Sequence, residues 1–597
     1  MNGQLSVSPG ARIEFLDADG NEIDEPFNDL PFVSVPAANA AALANALVPS
    51  RTSSGLRLVS KSVSLDPGGE TATLYVSYAA GAADASDIWT GAAADAHATQ
   101  DDNWKSGTAP SFVGGGLLAT FAEGGARAVF PGVADLRGLA FEGADFALEG
   151  DSEASLLLGA GGLSIAAPGE GETPTYTVGL PFASSEAQTW TIPDGAALAF
   201  TNNVEMGSSL SVSGAGEIQF LGSESAFANV QLQSGVKAVI SGRIRNTDHI
   251  VSQNNPGAAD KNTFLFYGSP DGNTRTVISN AVVEKSVYLK DGKMGECAFR
   301  VPANCTCTFK GGFYATSPWK YISVGGGGEC VFENGATFGW TIKFWGNGRH
   351  VFRNKPIYCD ANFDLGANTV LRMECSGSRC STAMYAEGAG RLELPVDNAF
   401  QNTPLHLDNV ASTIDFYGTR QPFTYVLCKG TNPTLTGTAG SVLEITRGAA
   451  AGASVIGSTN INCKVEGSLG ISMTGTGLLR LKSQDFASAG DISVTQGTLE
   501  FASDASWLHG TNVTVSGSGV LRIGSAETFN REFAVIRFAD DGKIELPSGM
   551  TQVFAEGWDG DTRLRPGTIY TSANLPAHVV PGGAIRIAGG GLTVIFR

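Results

Sequence analysis

The chain has 597 residues, 42% of them hydrophobic and 16% charged, with a formal net charge of −19. That apolar share supports a large core and excludes wholesale disorder, and 77 glycines with no Gly-X-Y period exclude collagen and point to many turns. The acidic balance, 58 Asp+Glu against 39 Lys+Arg, excludes nucleic acid as a partner.

The opening stretch "MNGQLSVSPGARIEFLD", Met1 to Asp17, has neither the basic start nor the unbroken apolar run of a signal peptide and reads as strand. The expectation is therefore a piece of a longer secreted or cell-surface protein, with its export signal upstream. No window approaches the roughly 18 apolar residues of a transmembrane helix. Residues 1–85 read as an N-terminal cap or the end of a preceding repeat unit. In "LDADGNEIDE", Asp17, Asp19, Asn21 and Glu22 are spaced like the start of a calcium loop, but the glutamate at loop position twelve is missing, so a tight turn is expected. The alanine-rich run Val35 to Val48, opened by Pro36, suits a short helix. "GLRLVSKSVSLDPGGETATLYVSY" suits a hairpin around "DPGG".

Residues 86–530 carry a repeat. "WTIPDGAALAF" (Gly195), "LSVSGAGEIQF" (Gly214) and "VQLQSGVKAVI" (Gly235) share one form: alternating residues, a glycine, then more alternation, about 20 residues apart. "ISMTGTGLLRL" (Gly475), "ISVTQGTLEF" (Gly497) and "VTVSGSGVLRI" (Gly517) repeat it. About 20 residues hold two or three short strands, each with one inward face. One such winding cannot bury enough to offset the entropy of ordering it. Stacked windings share ladder hydrogen bonds and cover one another, so the pattern specifies an all-β parallel β-helix, or β-solenoid, with terminal caps, a rod on the order of 100 Å long. Residues 531–597, with "WDGDTRLRPGTIYTSANLP", read as a C-terminal β cap of short antiparallel strands.

The best candidate ligand-binding patch is "GWTIKFWGNGRHVFRNKPIY", where Lys343, Trp345, Arg349, His350 and Arg353 gather aromatic and basic groups in an acidic chain. Alternation in "WTIKFW" puts Thr341, Lys343 and Trp345 on one face and Trp340, Ile342 and Phe344 on the other. An outward Trp beside Lys and Arg suits stacking on sugar rings, an anionic glycan included. The bland reading is core aromatics inside and solvated charges outside. Asp360, Asp364, Glu374, Glu393 and Asp415 are candidates for the carboxylate pair that glycoside hydrolysis requires. The nine cysteines lie between Cys297 and Cys463 and read as small buried residues stacked within the coils, with Cys375 and Cys380 spaced to close a small loop. No zinc, Ser-His-Asp or phosphate-loop pattern is present, so no metal, cofactor or catalytic residue is assigned.

Trp89, Gly91, Asn103, Trp104, Gly107 and Pro110 in "DIWTGAAADAHATQDDNWKSGTAP" resemble the W-T-G … N-W … G … P opening of bacterial autotransporter-like passenger proteins with the autotransporter-associated β-strand repeat. "SEAQTWTIPDGAALAF", "VTVSGSGVLRI" and "RPGTIYTSANLP … GGAIRI" resemble later segments of the same family, so the likeness spans about residues 86–597. It implies a right-handed β-helix and an exported, surface or secreted protein. The sequence departs from an autotransporter in ending at "GGGLTVIFR" without a series of amphipathic barrel strands. The expected function is a non-enzymatic structural or adhesive rod whose partners are glycans or other surface proteins. The alternative is a carbohydrate-active β-helix, a polysaccharide lyase or glycoside hydrolase, or a glycan-binding one.

Overall fold

A computed structural model describes residues 12–39 (except 14–15, 17–18, 22 and 24), 51–246 (except 53–55, 80, 82–83, 113, 123–125, 153 and 233–235), 263–267, 276–290 (except 285), 296–315, 320–447 (except 387) and 459–589 (except 483–485 and 511). With 54% strand and 1% helix the protein is all-β, and its coils form a β-solenoid of about 17 turns. Two compact units divide the chain: Met1–Arg300 with Cys307–Gly311, and Val301–Thr306 with Gly312–Arg597.

The first unit begins with an antiparallel sheet in which the strand Thr71–Ala79 lies between Phe27–Pro36 and Arg57–Leu65. The hairpin at "DPGG" is present: Asp66 turns the chain, its carboxylate accepting the amides of Glu70 at 2.8 Å and Thr71 at 3.1 Å. This sheet has a small core of its own around Leu58, Leu74, Val76 and Tyr78. Most of the expected helix, residues 40–48, and Asp17 and Glu22 of the expected calcium-like turn lie outside the described residues; Ala37–Asn39 forms one turn of 3-10 helix.

The first coil starts at Ala85–Trp89, and here the W-T-G … N-W segment acts as a packing unit. Trp89 and Trp104 are both buried and meet edge to face at 5.4 Å. Between them the chain loops out and is tied back by Asn103, which donates to the carbonyls of Asp95 at 2.9 Å and His97 at 3.0 Å and accepts the amide of Ala93 at 2.8 Å. The Trp104 indole donates to Ala98 O at 2.7 Å. From there the strands pair in parallel, with like residues over like: Val178, Phe200, Phe220, Ile240 and Ile278 form one inward column. Phe200 and Phe220, 20 residues apart, stack at 5.7 Å with planes 9° apart. The turns between strands need glycine where coils approach closely. Gly214 has φ +105°, and a Cβ there would lie 2.0 Å from Ile192 O.

The second unit is built the same way. Phe332, Phe352 and Met373 form one inward column, with Phe332 and Phe352 stacked at 4.6 Å. Leu443, Ile471, Ile492, Val513 and Ile536 form another. The cap was expected to begin at residue 531, but the parallel register runs on: Val535–Phe538 pairs in parallel with Glu556–Asp559. Among the described residues of this segment, antiparallel pairing joins Glu556–Asp559 to Thr562–Arg563 and Ile569–Tyr570 to Ala584–Ile587. The closing segment is anchored by His578, buried against Phe538 with ring centroids 4.8 Å apart and Nδ1 2.7 Å from Gly542 O. Among the described residues no helix is long and apolar enough to cross a membrane.

Candidate functional site

The strand Ile342–Trp345 buries Ile342 and Phe344 and turns Lys343 and Trp345 outward. Trp345 is 45% exposed, and the Lys343 ammonium sits 5.3 Å from its ring centroid. The indole lies across the next coil at Gly366, where a Cβ would come within 2.7 Å of the ring. Only a residue without a side chain leaves it that seat. Trp340 does not follow the alternation. It precedes the strand, in a bend where the inward-outward rule does not yet hold, and is 52% exposed rather than packed with Ile342 and Phe344.

In the next strand, Arg349–Arg353, the arginines at both ends face outward, but His350 is fully buried. Its ring meets Phe344 edge to face at 5.1 Å and its Nε2 lies 3.3 Å from Trp345 O. Burial pulls its pKa down to about 4, against a weaker upward pull from that carbonyl, so at neutral pH it is an uncharged core residue. His350 therefore does not belong to an outer binding patch. It shares the inward alternation of Phe352, two residues on.

Arg349 and Arg353 enter a network that stacking creates. Val351, Arg372, Glu393 and Asp415 are register partners on consecutive coils, as are Arg349, Val370 and Arg391, and Arg353 and Glu374. Glu393 is bonded by Arg349 at 2.5 Å and Arg372 at 3.0 Å, with Arg391 at 3.2 Å, and accepts the Tyr417 hydroxyl at 3.1 Å. Glu374 is held by Arg353 and Arg372, both at 2.6 Å, and Asp415 by Arg391 at 2.5 Å. Burial pushes the pKa of Glu374 and Glu393 up, but the arginine hydrogen bonds and charges outweigh it and hold both below the ordinary glutamate range. Both are ionised and occupied. Neither is a protonated general acid, and neither is unbound for use as a base.

The adjacent face carries a column that the scattered histidines and tyrosines did not reveal in the sequence. Lys343, Asp364, Tyr385 and His406 are register partners on four consecutive coils. The signal was present, since these positions recur every 21 residues, but it shows only once the coil length is known. His406 Nε2 lies 3.2 Å from the Tyr425 hydroxyl, its ring meets Tyr385 edge to face at 4.7 Å, and Lys429 pairs with Asp408 at 2.7 Å nearby. Burial and the Lys429 charge lower the His406 pKa, while burial raises those of Tyr385 and Tyr425, so these three rings are uncharged at neutral pH. Two more exposed aromatics of these coils carry a cation: Tyr358 with Arg379 at 5.4 Å and Tyr417 with Arg372 at 5.5 Å.

Open grooves of about 750 Å³ by Arg531, Phe533 and Glu556 and about 510 Å³ by Glu500, Arg522 and Glu545 include none of these residues. Among the described residues no three His, Cys, Asp or Glu are grouped to hold a metal ion. No protein-family model, curated protein or solved structure matches the chain.

Proposed function

We propose that this chain is an exported, non-enzymatic β-solenoid that acts at the cell surface or after secretion as a structural or adhesive scaffold, of the kind its W-T-G … N-W segment resembles in bacterial autotransporter-like passengers. One observation carries this reading: the outward carboxylates beside Arg349 and Arg353 are consumed as coil-to-coil ties, so the residues best placed for sugar hydrolysis serve the stack instead. The low charge content and the polar, glycine-punctuated coils agree with an extracellular setting.

The second reading, a glycan-binding face, is favoured by the column Lys343, Asp364, Tyr385 and His406 beside Trp345. Its rings offer apolar faces for sugars, and the Lys343 ammonium suits an acidic group. A glycan array on the purified chain, followed by assay of any bound polysaccharide for released reducing ends, tests both readings. Binding without product is the expected result, and turnover that survives repurification would overturn the non-enzymatic assignment. Trp345→Ala is expected to weaken binding roughly tenfold, about 1.4 kcal/mol, with little change in Tm because the indole is 45% exposed.

A further inference from the structure

We propose that Cys428 and Cys463 form a disulfide that staples two neighbouring coils of the second unit. This stands apart from the proposed function and rests on different residues. Cys428 ends the strand Arg420–Cys428, which pairs with Thr459–Ile461 through Leu427 and Asn460. The chain then bends through Asn462 and delivers Cys463 beside Cys428. With its amide turned to donate, Asn462 bonds Cys428 O at 2.9 Å and Gly430 O at 3.1 Å, which fixes the corner. The two sulfurs are 3.1 Å apart and both side chains are buried. That is inside ordinary non-bonded sulfur contact, and an approach of about 1 Å reaches the bonded separation of about 2.05 Å.

Two other cysteines direct their thiols to oxygens. Cys359 and Cys380 are register partners, yet the Cys359 thiol donates to Trp340 O at 2.8 Å. Cys375, whose spacing to Cys380 would allow a small loop, faces the Ser378 hydroxyl at 3.6 Å.

Bond formation needs a two-electron acceptor, here the disulfide of a small thiol or of a thiol oxidoreductase. One cysteine thiolate attacks that disulfide and displaces one of its sulfurs. The other cysteine thiolate then attacks the mixed disulfide, closes the Cys428–Cys463 bond and displaces the second sulfur. The acceptor's bond is broken, it takes up both electrons, and the two thiol protons end on its two released thiols. Burial, reinforced by the Cys428 sulfur, holds the Cys463 thiol well above its ordinary range, so the exchange belongs to folding, before these coils close, and the finished bond is shielded.

The test uses the full chain, refolded with oxidised glutathione, denatured in an alkylating agent and mapped by peptide mass spectrometry. The expected result is one peptide pair joined through Cys428 and Cys463, two mass units below the reduced pair, and seven titratable thiols, the nine of the chain less two. Reductant should lower the Tm of the oxidised wild type by several degrees and leave that of a Cys428→Ala/Cys463→Ala variant unchanged. Nine thiols after oxidative refolding, or a bond mapped to another pair, would overturn the proposal. Because the mapping is done on the wild type, misfolding of the variant would not obscure it.

Discussion

His350 shows how one side chain couples the core to pH. Its folded pKa of about 4 lies below the value of 6.5 expected when unfolded. Between those values the unfolded chain binds a proton that the folded chain refuses, so this contribution to stability is full above pH 6.5 and is lost as pH falls towards 4. At about 1.4 kcal/mol per pH unit, lowering the pH from 7 to 5 should cost about 2 kcal/mol through this residue. Urea midpoints at the two pH values should show that slope in the wild type and a shallower one in His350→Leu. The burial was legible in principle, since His350 lies two residues from Phe352 in a short strand. It was obscured because Arg349 and Arg353 at the strand ends made the segment look like one basic surface. Trp340 failed in the opposite way, through alternation carried beyond the residue where the strand begins.

At the scale of strands, stability depends on what stands on the neighbouring coil. Glu393 draws in Arg391 from its own strand, Arg372 from the strand beside it and Arg349 from the strand beyond that. Replacing it with Gln leaves three guanidinium groups facing one another around a buried amide. Because the arginines remain partly exposed, solvent screens part of this cost, and a loss of roughly 1–3 kcal/mol is expected. Thermal melts of Glu393→Gln against the wild type check this at neutral pH. In the wild type the same contribution is present above the ordinary glutamate range and fades as pH falls through the depressed values of Glu374 and Glu393. The strands themselves were readable from alternation and glycine, because each buries one face. Which residues meet across coils was not, because it depends on coil length: the column of Lys343, Asp364, Tyr385 and His406 is invisible until the chain is written in rows of 21.

At the scale of the molecule, a stack of windings is vulnerable where it stops. In the second unit the last windings are covered by the chain beyond Thr562: Val579 bridges to Ile544, and His578 seats on Phe538 and reaches Asp559 at 3.0 Å. A chain ending at Asp561 should expose Phe538, Ile544 and an unpaired strand edge. It is expected to lose several degrees of Tm and to gain light scattering with time, while retaining the far-ultraviolet signature of strand. The repeat was readable from composition and spacing, but the end of the stack was not, because Val535–Phe538 has the same alternation as the strands before it.

The ion pairs along Arg480, Glu500, Arg522 and Glu545 alternate in sign from one winding to the next. Excising a single winding would set like charge on like, whereas excising two would restore the match. In this stretch, lineages that lengthen or shorten the protein should therefore do so by even numbers of windings, a parity rule written on the outside of the stack.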